Sequence, residues 1–379
     1  MKISYLSWYK DLLGQIYRDN TKYNLLSSGI SEPWDLLNED LPESRDPKFK
    51  TRMATANEWG HPLLIEQIAS RYGVNPKNIT LTCGASNGII LCALALSSRY
   101  MKVAVETPVY EPLWRVPQEL GMEVSFFGRH ITSGEIDLDQ LAARITKDTQ
   151  LAFISNLHNP TGSFISESQI ISILEVIKGC NKDCYLVIDE IYKDFVPDDF
   201  LPAATLDDSI ITISSLTKVY GLGFLRCGWI VASENLTNRL RHAQPLINGV
   251  GSRQLEVLTS FVFDSFEKYR KASRDKVSVN REYVKRQLAP LFKSDVVKGW
   301  VPDYGCVAFL RLSNWADSLP LVDYLAKEFS IFVVPGWFFR EPSFFRIGFG
   351  IDLDHLKSSM QQLVVGLNDF DAQNSVKNQ

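Results

Sequence analysis

A lysine that follows a strongly apolar run is the first candidate for chemistry. Lys218 lies in Ile213-Ser-Ser-Leu-Thr-Lys218-Val-Tyr-Gly-Leu-Gly-Phe-Leu-Arg226-Cys-Gly-Trp229. An amine that condenses with a carbonyl must spend time neutral, so its site has to lower its pKa. Desolvation beyond a strand end, with an arginine nearby, supplies that. A surface lysine in a glycine-containing loop is the competing reading, and these residues alone leave the two level. Ser215 and Arg226, on either side, are candidates to hold a phosphate, the arginine as a forked donor.

The second group is Leu186-Val-Ile-Asp189-Glu190-Ile-Tyr192. A carboxylate closing an apolar strand is costly unless paired. Asp189 can keep a pyridine nitrogen protonated and make the ring an electron sink, with Tyr192 placed to reach a phenolic oxygen on that ring. A helix N-cap or a metal ligand is the alternative, but no histidines gather around Glu190 to complete a metal site. Asn159, in Ser155-Asn-Leu-His158-Asn159-Pro160-Thr-Gly162, is held extended by the proline that follows it. Its amide is aimed at a ligand oxygen or belongs to a plain Asn-Pro turn; His158 reads as a loop residue. The small-residue turn Thr82-Cys-Gly84-Ala85-Ser86-Asn-Gly88 offers backbone N–H groups at a helix start, a phosphate-binding geometry. Tyr110, after Glu106-Thr-Pro108-Val, is either a ring to stack on a flat ligand or packing. Arg346 interrupts the apolar Phe345–Phe349 strand, so its charge meets an anion, a substrate carboxylate or a structural Asp or Glu; the structural pairing is the commoner arrangement.

These residues need a scaffold that brings strand ends together. Short apolar runs recur at Ile79–Cys83, Val103–Glu106, Glu123–Phe127, Leu151–Ser155, Tyr185–Asp189, Ile210–Ser214 and Gly228–Ala232, alternating with helical stretches such as Ser166–Lys178 with its Ser-x-x-Gln cap. This alternation predicts an α/β fold, a mostly parallel sheet sandwiched by helices, with ligands beyond the carboxyl ends of the strands. The texture changes after about residue 255. A long helix over Gln254–Leu291 is expected, then strands near Cys306–Leu312, Ile331–Val334 and Phe344–Phe349, with helices at Leu319–Glu328 and Asp354–Leu367, as in a smaller α+β domain. Residues 1–45 read as an arm joining that domain or a neighbouring subunit, 46–265 as the large domain and 266–379 as the small one. The polar tail after Asp371 is expected to fray.

Composition narrows the functional classes. The 379 residues carry 40 Lys+Arg against 44 Asp+Glu, a net charge of −4 with no basic cluster, which argues against nucleic-acid binding. No run approaches the roughly 20 apolar residues of a membrane span, and the N-terminus does not read as a signal peptide. The 6 cysteines are widely spread and complete no zinc site, the pattern of reduced thiols in a cytoplasmic protein. Gly221-Leu-Gly223 lacks the third glycine of a dinucleotide fingerprint.

Taken together and in order, Asn159–Gly162, Asp189–Tyr192 and Ser215–Gly228 with Lys218 and Arg226 resemble the class I/II aminotransferases, the aspartate-aminotransferase-like, pyridoxal-phosphate-dependent enzymes of fold type I. The likeness spans nearly the whole chain. It implies a transfer of an amino group between an α-amino acid and a 2-oxo acid, by a homodimer with sites at its interface. Lys218 would hold pyridoxal 5'-phosphate as a Schiff base and shuttle the α-proton, and Asp189 would pair with the pyridinium. Asn159 and Tyr192 would hold the ring oxygen. Ala85, Ser86, Ser215 and Arg226 would bind the phosphate, with Tyr110 stacked on the ring. Arg346 would clasp the substrate carboxylate, with Asn159 and the backbone near Gly29–Ile30 closing over it.

One position departs from the pattern: Thr55 stands where the family places a tyrosine that reaches the phosphate across the dimer. That keeps a second reading open, another reaction on the same fold such as β/γ-elimination, cyclisation or oxidation of an amino acid. A cofactor-sensing regulator would carry a DNA-binding domain ahead of the fold, for which few residues are present here. The arm aromatics Tyr5, Trp8, Tyr9 and Trp34 read as arm packing more readily than as a substrate pocket.

Overall fold

A computed structural model describes residues 5, 7–12, 23–43, 46–55, 59–98, 100–196, 201–249 and 251–375. Residues 56–58, part of the arm and the last four residues are among those outside that set.

Seven of the apolar runs form one sheet: β2 (Ile79–Thr82), β3 (Lys102–Thr107), β4 (Glu123–Gly128), β5 (Thr149–Ser155), β6 (Tyr185–Asp189), β7 (Ile210–Ser215) and β8 (Gly228–Val231), with β1 (Tyr23–Asn24) elsewhere. Their spatial order is β2-β8-β7-β6-β5-β3-β4. Neighbours from β7 to β4 pair in parallel, whereas β8 is antiparallel to both β7 and β2. Alternate residues face opposite sides. Val103, Val105, Leu151, Phe153, Val187 and Ile211 join one apolar cluster, and Ala104, Ala152, Ile154, Leu186, Ile188 and Ile210 another. Helices cover both faces, which is why these strands are apolar almost throughout. The helix Glu167–Cys180 starts at the expected cap, Ser166 and Gln169 each bonding the other's backbone N–H.

Because β8 runs against its neighbours, its first residues lie at the same edge as the last residues of β2 and β7; Gly228 is in register with both Thr82 and Ser215. The segment before β8, with Arg226, therefore meets the segments after β2 and β7, with Gly84 and Lys218. Gly228 is required there, since a Cβ would lie 2.8 Å from both the Gly84 carbonyl carbon and the Ser214 oxygen.

The C-terminal part holds a second sheet, of β9 (Val297–Gly299), β10 (Val307–Leu312), β12 (Val334–Pro335) and β13 (Phe344–Gly348), while β11 (Ile331–Phe332) pairs in parallel with β1. The single strand expected at Ile331–Val334 is thus two short ones that serve different partners. The long helix expected over Gln254–Leu291 is also two, Arg253–Asp264 and Phe266–Lys293, parted at Ser265. There the backbone leaves the helical region and the serine hydroxyl donates to Asp40 Oδ1 at 3.2 Å, a tertiary contact to the segment ahead of the large sheet. The last helix runs from Leu353 to Ser375, past the point expected to fray.

Candidate active site

One cavity of about 150 Å³ opens at the carboxyl edge of the large sheet, lined by Ala85, Ser86, Tyr110, Asn159, Asp189, Tyr192, Lys218 and Arg226 among others. The strand ends account for this convergence. Asp189 is the last residue of β6, and Lys218 and Asn159 sit a few residues beyond β7 and β5. Ser215, Arg346 and Ile30 are not in the cavity wall. Ser215 is buried and its Oγ accepts from the Thr217 N–H at 3.3 Å, and Thr217, next to the lysine, lines the cavity instead. Sequence reading passed over Thr217, although a hydroxyl adjacent to a candidate phosphate-site lysine was a usable signal. The Ile30 N–H donates to the Lys218 carbonyl at 3.1 Å, tying that segment to the lysine's backbone.

Burial sets the electrostatics. Desolvation pushes the Asp189 carboxyl up to about 7, against the Ile191 N–H that donates to it at 3.1 Å. Desolvation, then the charge of Arg346, draws the Lys218 amine down to about 8. At pH 7 about a tenth of such an amine is neutral, far more than for a free lysine. Perturbed carboxyl and amine groups in one cleft mark a functional site.

Arg346 is fully buried. The structural acid that is the commoner partner does not appear: no Asp or Glu forms an ion pair with it among the described residues. Instead Nη1 donates to Asn159 Oδ1 at 2.9 Å, and Nη2 to the Tyr5 hydroxyl at 3.3 Å and the Leu26 carbonyl at 3.0 Å. Neutral acceptors leave the positive charge uncompensated, which suits the site to an incoming anion. Since arginine only donates, this bond fixes the Asn159 amide with its NH2 group free to donate elsewhere.

A buried network stiffens the floor. Glu106 accepts from the Ser155 N–H (2.6 Å), the Ser155 hydroxyl (2.7 Å) and Arg129 Nη1 (2.9 Å). His158 lies in the loop after β5, as expected, with its ring buried: it bridges Thr161 Oγ1 at 2.7 Å and the Pro108 carbonyl at 2.8 Å, with burial holding its pKa well below the usual value. It is a neutral strut that links the turn after β3 to the turn bearing Asn159.

The residues fit pyridoxal phosphate on several independent observations. The buried Tyr192 hydroxyl has no hydrogen-bond partner of good geometry among the described residues, and with the Asn159 NH2 it offers two donors for one ring oxygen. Asp189 would be held ionised by a pyridinium. Arg226 sits in the left-handed region with φ 45 and donates to the Cys83 and Gly223 carbonyls at 3.0 and 3.1 Å. Its guanidinium lies against Gly84, where a Cβ would come within 2.9 Å of Nη2. That places a cation beside the N-terminus of the 12-residue helix Ala85–Leu96, a combination that attracts phosphate. Thr55 caps the helix Pro47–Ala54 and is exposed, its hydroxyl donating to the Thr51 carbonyl at 3.2 Å.

Comparison with known proteins agrees with this geometry. The sequence profile of aminotransferase class I and II matches residues 39–363. A histidinol-phosphate aminotransferase of Caldicellulosiruptor saccharolyticus is 24% identical over 300 residues, 77% of this chain and 78% of its own. A capreomycidine synthase of Streptomyces vinaceus is 25% identical over 306 residues, 79% of this chain and 77% of its own. Among solved structures, an aspartate aminotransferase of Thermotoga maritima superposes with a TM-score of 0.83 at 18% identity, covering 97% of this chain and 98% of that one. With a profile that covers most of its length and a cavity whose groups suit the cofactor, the chain belongs to the class I and II aminotransferases, enzymes that work with pyridoxal phosphate.

Proposed function

We propose that this enzyme moves an amino group between an α-amino acid and a 2-oxo acid, with Lys218 as the residue that links to the cofactor and carries the proton. The observation that carries this reading is the sharing of one cavity by Lys218, Asp189, Asn159 and Tyr192. Pyridoxal phosphate supplies an aldehyde that captures amines and a ring that withdraws electrons from Cα. The chain supplies the rest. Asp189 keeps the ring nitrogen protonated, Asn159 and Tyr192 hold its oxygen, and Tyr110 packs against the ring. Arg226, Ser86, Thr217 and the amides at Ala85 and Ser86 take the phosphate, with Ser215 shaping that turn from beneath. Arg346 fixes the substrate carboxylate, which orients the Cα–H bond for removal by Lys218.

A homodimer, a cytoplasmic location and a division at residues 46 and 266 belong to the same reading. No described helix is long and apolar enough to cross a membrane.

The test is to reduce the holoenzyme with borohydride and locate the label, then to supply amino acids one at a time. Label on Lys218, with pyridoxamine phosphate formed in step with one oxo acid, is the expected result. One observation favours the second reading, another reaction of the amino acid on the same scaffold: Thr55 is too short to replace a phosphate-binding phenol. Release of ammonia, or cyclised product, with the aldehyde form restored would establish it.

A further inference from the structure

The N-terminal arm closes over the buried guanidinium of Arg346. Residues 7–12 are helical, and Tyr5 ahead of them is only 5% exposed. Its ring meets Tyr9, Tyr110, Phe338 and Phe339 at centroid distances of 5.7, 5.9, 5.4 and 6.1 Å. Its hydroxyl takes one Nη2 hydrogen of Arg346, and the Leu26 carbonyl takes the other. Nε, equally buried, has no hydrogen-bond partner among the described residues.

A planar guanidinium offers two edges to a two-pronged carboxylate, Nη1 with Nη2 and Nε with Nη2. Both edges use Nη2, and both of its hydrogens are already engaged. A forked carboxylate must therefore displace Leu26 or Tyr5. Leu26 cannot easily leave. Its own N–H is held by Asn24 Oδ1 at 3.0 Å, and its neighbour Leu25 donates to Phe332 and accepts from Gly348. Tyr5 contributes a single side chain, ahead of the helical residues 7–12. It is the replaceable group.

We propose that the Tyr5 phenol stands in for the substrate carboxylate on Arg346 and is exchanged for it on binding, shifting the aromatic arm as it leaves. Tyr5 is then a positioning residue that keeps a buried cation satisfied between turnovers and makes carboxylate capture compete with an internal acceptor. The unpartnered Nε is the second prong that the phenol, with one oxygen, cannot fill. This inference rests on Arg346 as the carboxylate site.

The test uses the holoenzyme and 3-phenylpropanoate, which has the carboxylate but no amine, with 3-phenylpropan-1-ol as control. Tyr5→Phe keeps the ring and removes the oxygen. The expected result is tighter 3-phenylpropanoate binding by about three- to tenfold, a fraction of the worth of one hydrogen bond to a charged group, with the alcohol unchanged. Unchanged or weaker carboxylate binding overturns the exchange, as does equal tightening of the alcohol, which would trace to ring packing. Trp8 lies 6.4 Å from Tyr5 and 4.9 Å from Phe338, so saturation with the probe should alter a fluorescence signal that Trp8→Phe removes. A Trp8 signal that stays constant overturns the movement of the arm. Arg346→Gln separates the two levels of argument. If that variant binds the probe as tightly as the parent, the carboxylate role of Arg346 itself fails, whatever Tyr5 does.

Discussion

The two sides of the cavity are built by different physics. On the sheet side, opposite charges are buried near one another at strand ends, and each is drawn toward neutrality: Asp189 up to about 7, Lys218 down to about 8. On the arm side a single cation, Arg346, is held by neutral acceptors from Tyr5, Leu26 and Asn159, the first of them 341 positions away in the chain. The sheet side is carried by backbone in register and awaits a cofactor whose charges complement it. The arm side is closed by a side chain and awaits a substrate that replaces it. Rigidity belongs to the group that remains bound, and exchangeability to the group that turns over.

The comparison breaks most directly at the lysine. Lys218→Ala should lower turnover on the order of 10⁴-fold or more, the upper end for a general acid–base group, because the covalent link is lost as well. Steady-state rates with any accepted amino acid measure it, and a parent-like rate would end the assignment. Asp189→Asn comes next, with kcat expected to fall about 10²–10³-fold as the ring nitrogen loses its anion, within the range for a preorganised charge. The same variant sharpens the electrostatic side. The folded-state pKa of Asp189 is raised, so between the ordinary carboxyl value and about 7 the unfolded chain holds fewer protons than the native one. Stability of the cofactor-free parent therefore declines as pH climbs through that window, by up to about 4 kcal/mol from this group. Urea unfolding at pH 5 and pH 8 should show the parent losing more stability than Asp189→Asn.

On the arm side, Arg346→Lys should raise KM about 10- to 100-fold, roughly 1.4–2.7 kcal/mol, with a smaller change in kcat. A lysine offers one point charge where a fork held two oxygens. A drop in kcat with KM unmoved would mean that Arg346 acts on the reaction and not on carboxylate capture.

The same division explains what was legible in the sequence. Strand ends announce themselves, because an apolar run that stops at Asp189, or just before Lys218 or Asn159, gives a position along the chain and the parallel sheet supplies the rest. Seven strands and the Ser166 cap were readable for that reason. The partners of Arg346 were not. An acid was the commoner expectation, and only the tertiary fold brings a phenol from position 5, an amide from position 159 and a backbone carbonyl to one guanidinium. His158 reads correctly as a loop residue, but nothing local says that its ring reaches Pro108. At the Ser265 break the hydroxyl finds Asp40, again a contact distant in sequence.

The smallest effect probes the position that departs from the family pattern. Thr55 is exposed at a helix end, and among the described residues its side chain bonds only the Thr51 carbonyl of the helix it caps. Replacing it should alter folding stability by no more than about 0.5 kcal/mol. If two chains pair so that this loop faces the neighbouring cofactor, Thr55→Tyr adds a phenol within reach of its phosphate. One hydrogen bond to a charged group is worth about 1.5–3 kcal/mol before the ordering of the side chain is subtracted. Cofactor release, followed by the loss of bound pyridoxal phosphate after dilution into an aldehyde trap, should slow about three- to tenfold. The gain should vanish at protein concentrations where the chain sediments as a monomer. An unchanged release rate in a demonstrated dimer would mean that the loop faces elsewhere, and that the phosphate is anchored by Arg226 and the turn at Gly84 within a single chain.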